Sequence, residues 1–109
     1  MKLILAIIQA ADEMDTVEEL NNQGFFVTKL STSGGFLKSK NVTLLIGTED
    51  SNVDKAIKVV KDRAGKRLAT TAVTPSDVRM VSVSGPNMVK VPAGGATVFV
   101  MDIDQFQKF

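Results

Sequence analysis

The chain is predicted to fold as a single α+β domain, in which a four-stranded antiparallel sheet carries two helices on one face. Three observations predict this class. Strand-like runs rich in Val, Ile and Leu alternate with two stretches whose apolar residues recur at helical spacing. Turn residues separate these stretches, and 109 residues are enough for one hydrophobic core but not for two. We therefore expect one domain over residues 1–109.

The first half of the chain predicts three strands and one helix. Lys2–Gln9 is almost continuously apolar, which is typical of a central strand buried on both faces. Asp12–Asn22 carries early carboxylates and helical spacing, and Gly24 provides the stop. Phe25–Ser31 and Val42–Thr48 have strand composition and flank a short Gly-rich loop, so we expect them to form a hairpin.

The second helix is predicted to begin near Ser51 and to end at Gly65. Between them, apolar residues recur at intervals of three and four, which is the spacing of one buried helix face. Lysines lie off this face and are expected to be solvated. The apolar positions are Val53, Ala56, Ile57, Val60 and Ala64.

The last part of the chain predicts a long excursion before the final strand. Lys66–Asp77 is polar and poor in large apolar residues, so we expect a loop. Val78–Ser84 and Met88–Val91 alternate apolar with polar residues and predict a small hairpin. Ala96–Met101 is a strong strand, and Asp104–Phe109 is expected to form a short tail with one helical turn.

The βαββαβ order of these elements favours the ferredoxin-like arrangement. Because both helices then cover one face, the other face of the sheet stays open. Strands such as Leu3–Ile8 and Val98–Met101 are apolar on both sides, and an apolar face of this size is normally covered. The sequence therefore predicts an oligomer in which the sheets of several subunits pack together.

Composition excludes several classes of function. The chain has no His and no Cys, so it lacks the commonest general base, metal ligand and thiol nucleophile. We therefore expect a binding protein and not an enzyme, with no metal and no cofactor. A net charge of +1 gives no strong attraction for a nucleic acid polymer, and no apolar run is long enough for membrane insertion. The lack of cysteine suits a reducing compartment, and we expect a cytoplasmic protein.

The loop between the second and third predicted strands has the residue types that bind a nucleotide. Backbone N–H groups at Gly34 and Gly35 can approach a phosphate closely because no Cβ intervenes. Phe36 offers a ring for stacking on a base, and the Asn41 amide matches the N6/N7 edge of adenine. On spacing alone, Gly-Gly-Phe between two strands is more often a plain hairpin turn with an exposed aromatic residue.

Three separated segments together resemble the cyclic di-AMP receptor family, the PII-like signal-transduction proteins of Gram-positive bacteria. These segments are Thr28–Leu37, the strand from Asn41 to Gly47, and Gly94–Met101. The resemblance covers almost the whole chain and is weakest from Lys66 to Val91. It implies a homotrimer with a second-messenger site in each cleft between subunits. It also implies that the long segment after the second helix rearranges on binding and signals to a downstream protein that the sequence does not identify.

The resemblance also implies a particular set of ligand-binding residues. Phe36 would pack against an adenine, and Asn41 would read its edge. Thr28 and the backbone at three other positions would line the nucleotide and its phosphates, and an aromatic residue would come from the last strand of the neighbouring subunit. On residue type alone, Thr28 and this aromatic residue are ordinary strand residues. The full set is Thr28, Gly35, Phe36, Leu37, Asn41, Gly47 and Phe99.

Two positions depart from the family pattern. Phe26 stands where some members carry a basic residue, and Lys108 stands where an amide is also seen. Since Phe26 cannot attract a phosphate, Lys29, Lys38 or Lys40 is expected to compensate.

Three alternatives remain at this stage. A nitrogen-type PII regulator of ATP and 2-oxoglutarate would place its long loop between the second and third strands, whereas here the long segment follows the second helix. A small phosphate-ester hydrolase on the same fold would need a catalytic base and a phosphate cradle, but Arg63, Arg67 and Arg79 all lie outside the short loop. A structural subunit that binds nothing is the third alternative.

Overall fold

The computed structural model describes residues 1–30, 40–72 and 88–109. Short 3₁₀ turns, Ala10–Asp12 and Asp50–Asn52, lead into the two helices. The strands and helices in chain order are β1 (Lys2–Gln9), α1 (Glu13–Asn22), β2 (Val27–Leu30), β3 (Asn41–Thr48), α2 (Val53–Ala64), β4 (Arg67–Ala72), β5 (Met88–Ala93) and β6 (Ala96–Asp102).

Four of the strands form one antiparallel sheet in the order β2-β3-β1-β6. This order and the two helices confirm the predicted ferredoxin-like, PII-like fold. In the register of the sheet, Ile4 lies opposite Ile46 of β3 and Val100 of β6. The central strand β1 pairs with β3 over residues 2–9 and with β6 over residues 2–8.

The core lies between the sheet and the helices. Alternate residues of β1 (Ile4, Ala6 and Ile8) are completely buried, as expected for one face of a strand. They pack with partners from β3 and both helices, which are Leu20, Leu44, Ile46, Ala56, Val59, Val60 and Ala64.

The expectation that β1 is buried on both faces is wrong for the single chain. The intervening residues Leu3, Leu5 and Ile7 are only half-buried. They point to the face of the sheet that does not carry the helices.

The helices begin and end close to their predicted bounds. Glu13 and Asp15 place negative charge in the first turn of α1, where the helix dipole favours it. Gly24, at φ +91°, then turns the chain towards β2. The predicted stripe of α2 is buried at Ala56, Val60 and Ala64. Among the described residues, neither helix is long and apolar enough to span a membrane.

The largest correction concerns the segment after α2. Arg67–Ala72, predicted as loop, forms β4 and pairs antiparallel with β5, Met88–Ala93. The predicted pairing of Met88–Val91 with Val78–Ser84 is wrong, because β5 pairs with β4. Val78–Ser84 lies outside the described residues. Strand β4 is rich in Ala and Thr, and its one large apolar residue, Leu68, is 68% exposed, so composition gives little signal for a strand here.

The tail also differs from the prediction. Asp104–Phe109 forms no helical turn. Its start is fixed by the Ile103 N–H, which donates to the Met1 carbonyl at 3.3 Å. With few buried residues in this segment, nothing stabilises a helix too short to persist alone.

Candidate functional site

The candidate site is built on the face of the sheet that the helices leave open. Because side chains alternate along a strand, residues that pair across the sheet share one face. One row across this face consists of Thr28, Leu45, Leu5 and Phe99, from β2, β3, β1 and β6 in turn. Asn41 and Gly47 have the same parity as Leu45 and belong to this face as well. Four predicted site residues thus lie on one surface, and all four are exposed.

Thr28 and Phe99 stand at opposite edges of the sheet. Three strand spacings separate β2 from β6, which places the two residues about 14 Å apart in one chain. This exceeds what a single adenine could touch on both sides. Phe99 is 52% exposed, which is unusual for an aromatic residue in the middle of a strand.

Asn41 and Gly47 lie at opposite ends of β3. Six residues of extended strand separate them by about 20 Å. Gly47 is next to the row that contains Thr28, since Thr28 pairs with Leu45. The structure therefore brings Thr28 and Gly47 together, and it places Asn41 away from both.

Gly47 leaves open space above the sheet. A Cβ added there would meet only the end of the Met1 side chain, at an ordinary contact distance of 3.7 Å. On the open face, the backbone at Gly47 is therefore not covered by a side chain of its own. A ligand beside Thr28 could approach this backbone closely.

The end of β3 that carries Asn41 is held by the turn after β1. Gln9 pairs with Asn41 in the register of the sheet. The Ala10 N–H donates to the Lys40 carbonyl at 2.5 Å. Although Asn41 is exposed, these backbone contacts fix its position. The predicted residues Gly35, Phe36 and Leu37, and the compensating Lys38, lie outside the described residues.

The two positions that depart from the family pattern meet in space. The Lys108 ammonium lies 5.8 Å from the centroid of the Phe26 ring, a cation–π distance. Phe26 is 85% exposed and precedes β2, near Thr28. The Lys108 ammonium therefore lies close to Phe26, the position at which some members of the family carry a basic residue. Sequence reasoning missed this contact because the two residues are far apart in the chain.

Lys29 is not available to the open face. It pairs with Leu44, whose side chain is buried under the helices, and its ammonium contacts the Glu13 carboxylate of α1 at 2.9 Å. The expectation that Lys29 could face a phosphate at this surface is therefore not supported by its position. Lys40 remains exposed at the start of β3.

A groove of about 460 Å³ opens beside the free edge of β6. Its walls are apolar, with two lysines at the rim near the end of α2. An anionic ligand with an apolar part would suit such a lining. The lining residues are Ile57, Val60, Lys61, Gly65, Lys66, Gly95, Ala96, Thr97 and Val98.

These features define a small ferredoxin-like domain with an open sheet face on which Thr28, Asn41, Gly47 and Phe99 are exposed. Within residues 1–30, 40–72 and 88–109, no group of three acidic residues could hold a metal ion. A family model described as cyclic-di-AMP receptor matches residues 1–109, the whole chain. The chain therefore belongs to the cyclic-di-AMP receptor family.

The chain is also similar to a solved structure. A crystal structure of a functionally unknown protein from Pediococcus pentosaceus shares 37% sequence identity with it. The match covers 99% of this chain and 96% of that chain, with a TM-score of 0.76. The similarity thus extends over the whole fold.

Proposed function

We propose that the protein is a cytoplasmic, non-enzymatic receptor that binds cyclic di-AMP in the clefts between the subunits of a homotrimer. Binding is reported to a downstream protein through the segment that contains β4 and β5. The observation that carries this proposal is the match of the cyclic-di-AMP receptor family to the whole chain.

The position of the site residues supports a cleft between subunits. Thr28 and Phe99 share one face but stand about 14 Å apart in one chain. A neighbouring subunit that brings its own β6 against β2 would supply Phe99 next to Thr28. Packing of subunits would also cover the half-buried side chains of Leu3, Leu5 and Ile7.

The chemistry of the open face suits a cyclic dinucleotide. Cyclic di-AMP has two adenines and two phosphodiesters, so its site needs stacking rings, an amide and donors for anions. In the proposed site, Asn41 reads one adenine edge and Phe36 stacks on the base. The backbone at Gly35, Leu37 and Gly47 lines the nucleotide. None of these contacts requires a metal or a catalytic base.

The experiment that tests this function is titration calorimetry of the purified protein with cyclic di-AMP. Cyclic di-GMP, ATP and AMP serve as controls at the same concentrations, and native mass measurement gives the oligomeric state. We expect saturable heat for cyclic di-AMP alone, at one ligand per subunit of a trimer. Heat with ATP instead would support the nitrogen-type PII alternative. Absence of heat with every nucleotide would leave a structural subunit, and turnover of the dinucleotide would indicate a hydrolase.

The same titration tests Asn41. Asn41→Ala is expected to weaken cyclic di-AMP binding by about 1–3 kcal/mol, the range for a lost bidentate contact to a base. Asn22→Ala, at the exposed end of α1, is the matched control and should bind as the wild type does. Equal affinities for both variants would remove Asn41 from the site.

A further inference from the structure

The connection between β1 and α1 contacts two regions that are distant in sequence. We call Gln9–Asp12 the corner. On one side, the corner contacts the start of β3. On the other side, it contacts both ends of the β4–β5 hairpin.

The contacts with β3 involve the backbone. The Ala10 N–H donates to the Lys40 carbonyl at 2.5 Å, and Gln9 pairs with Asn41. A ligand that holds Asn41 in place would therefore restrain the backbone of the corner directly.

The contacts with the hairpin involve side chains. The Asp12 carboxylate is 6% exposed and accepts two hydrogen bonds from the Arg67 guanidinium, at 2.6 and 3.2 Å. Such a bidentate pair is both strong and directional. Arg67 also donates to the Gly65 carbonyl at 3.1 Å. At the other end of the hairpin, the Gly94 N–H donates to the Gln9 side-chain oxygen at 3.1 Å.

Through these contacts, the corner holds the start of β4 and the end of β5 close together. Gly94 has φ +76°, and a Cβ added there would overlap the Gly65 carbonyl oxygen and the Arg67 guanidinium. Beyond this base, the described side chains of Leu68 and Val89 are 68% and 44% exposed and therefore contribute little packing. An isolated two-stranded hairpin is marginally stable in water. The pairing of β4 with β5 therefore depends on the contacts between the corner and the base of the hairpin.

We propose that the corner couples the start of β3 to the order of the β4–β5 hairpin, with Gln9 and Asp12 as its positioning residues. A nucleotide held at Asn41 would favour the clamped base and a paired hairpin. By linkage, a firmly clamped hairpin would raise the affinity for that nucleotide by the same factor. The part that involves nucleotide rests on the proposed function, whereas the coupling itself does not.

The coupling is tested first without nucleotide, by amide hydrogen exchange. Arg67→Lys keeps the positive charge but loses the bidentate geometry. We expect exchange of the β4 and β5 amides to rise about tenfold, and exchange of the Ala10 amide to rise about threefold. Arg63→Lys is the matched control, because within the described part of the chain Arg63 pairs with Asp15 and Glu19 on the surface of α1 and not with the corner. It should change neither set of amides. Faster exchange in the hairpin with an unchanged Ala10 amide would overturn the coupling.

The second test adds saturating cyclic di-AMP to the wild type, Asp12→Asn, Arg67→Lys and the double variant. In the wild type we expect ligand to slow exchange in β4 and β5. In each variant this response should be lost, and affinity should fall by no more than about tenfold. The double variant should behave like either single variant, because both substitutions break the same contact.

The outcomes separate the two proposals. A wild type that binds no nucleotide would refute the proposed function, and the exchange of the Ala10 amide in Arg67→Lys would still decide the coupling. A wild type that binds, combined with a full hairpin response in all the variants, would refute the coupling and leave the receptor function intact.

Discussion

The four-stranded sheet with its two helices and the β4–β5 hairpin are ordered by different forces. In the sheet, side chains such as Ile4 and Ile46 are completely buried. In the hairpin, Leu68, Val89 and Val91 are 68%, 44% and 36% exposed. The sheet is therefore stabilised by apolar burial, whereas the hairpin relies on backbone pairing and on the contacts at its base. The conformation of the hairpin can therefore change at a lower free-energy cost than that of the sheet, and without disturbing the core of the sheet.

The largest effect is expected from truncating the core of the sheet. Ile46→Ala removes a fully buried side chain of β3 between the sheet and the helices and should cost about 2–5 kcal/mol of unfolding free energy. Leu68→Ala in the hairpin is the matched truncation and should change this free energy by less than about 0.5 kcal/mol. Urea denaturation at equal protein concentration measures both values. Similar losses in the two variants would show that the hairpin is part of the cooperative core.

A smaller effect is expected at the junction of the two regions. Gly94→Ala places a Cβ on a residue with φ +76° and against the Gly65 carbonyl, so we expect a loss of about 1–3 kcal/mol. Gly24→Ala has a similar backbone strain at φ +91°, but its Cβ would meet nothing within 4 Å. Thermal unfolding should therefore show a larger loss for Gly94→Ala. A larger loss for Gly24→Ala would contradict close packing at the hairpin base.

The smallest effect is expected on the solvated face of α2. The hydrogen bond from Lys58 lowers the pKa of Asp62 below its ordinary value of 3.8. Because the folded pKa is the lower one, this pair stabilises the protein above about pH 4, and the contribution is lost as the pH falls through the folded pKa. Lys58→Ala should therefore unfold at a slightly lower temperature than the wild type at pH 7, and the difference should vanish in strong acid. Asp62→Asn should lose the same pH-dependent part, and a difference that persists in strong acid would point to another cause.

Apolar periodicity made the sheet and helices predictable. The apolar run Lys2–Gln9 predicts a strand, and the stripe from Val53 to Ala64 predicts a helix with one buried face. Because the run in β1 is apolar almost throughout, it does not reveal that only alternate residues are fully buried in the single chain. Strand β4 was not predicted because its Ala and Thr residues carry no apolar pattern and its one large apolar residue, Leu68, is 68% exposed. The tail was predicted to form a helical turn from composition alone, without a surface to stabilise it.

The candidate site was predictable in part. That Thr28 and Gly47 belong to neighbouring strands follows from the hairpin, and strand alternation places them on one face. The distance between Asn41 and Gly47 follows from the length of β3. The motif does not give this distance, because it shows only which residue types are present. The meeting of Lys108 with Phe26 depends on the path of the tail, which no local pattern records.

The adjacency of Gly65 and Gly94 makes the hairpin a removable insertion. Since its two ends already touch, a tight turn could replace the whole segment and leave α2 and β6 where they are. Changes in its length would alter loop-closure entropy by only about 0.6 kcal/mol for each doubling. A segment of another length or sequence could therefore stand between Gly65 and Gly94 with little change in how α2 and β6 pack.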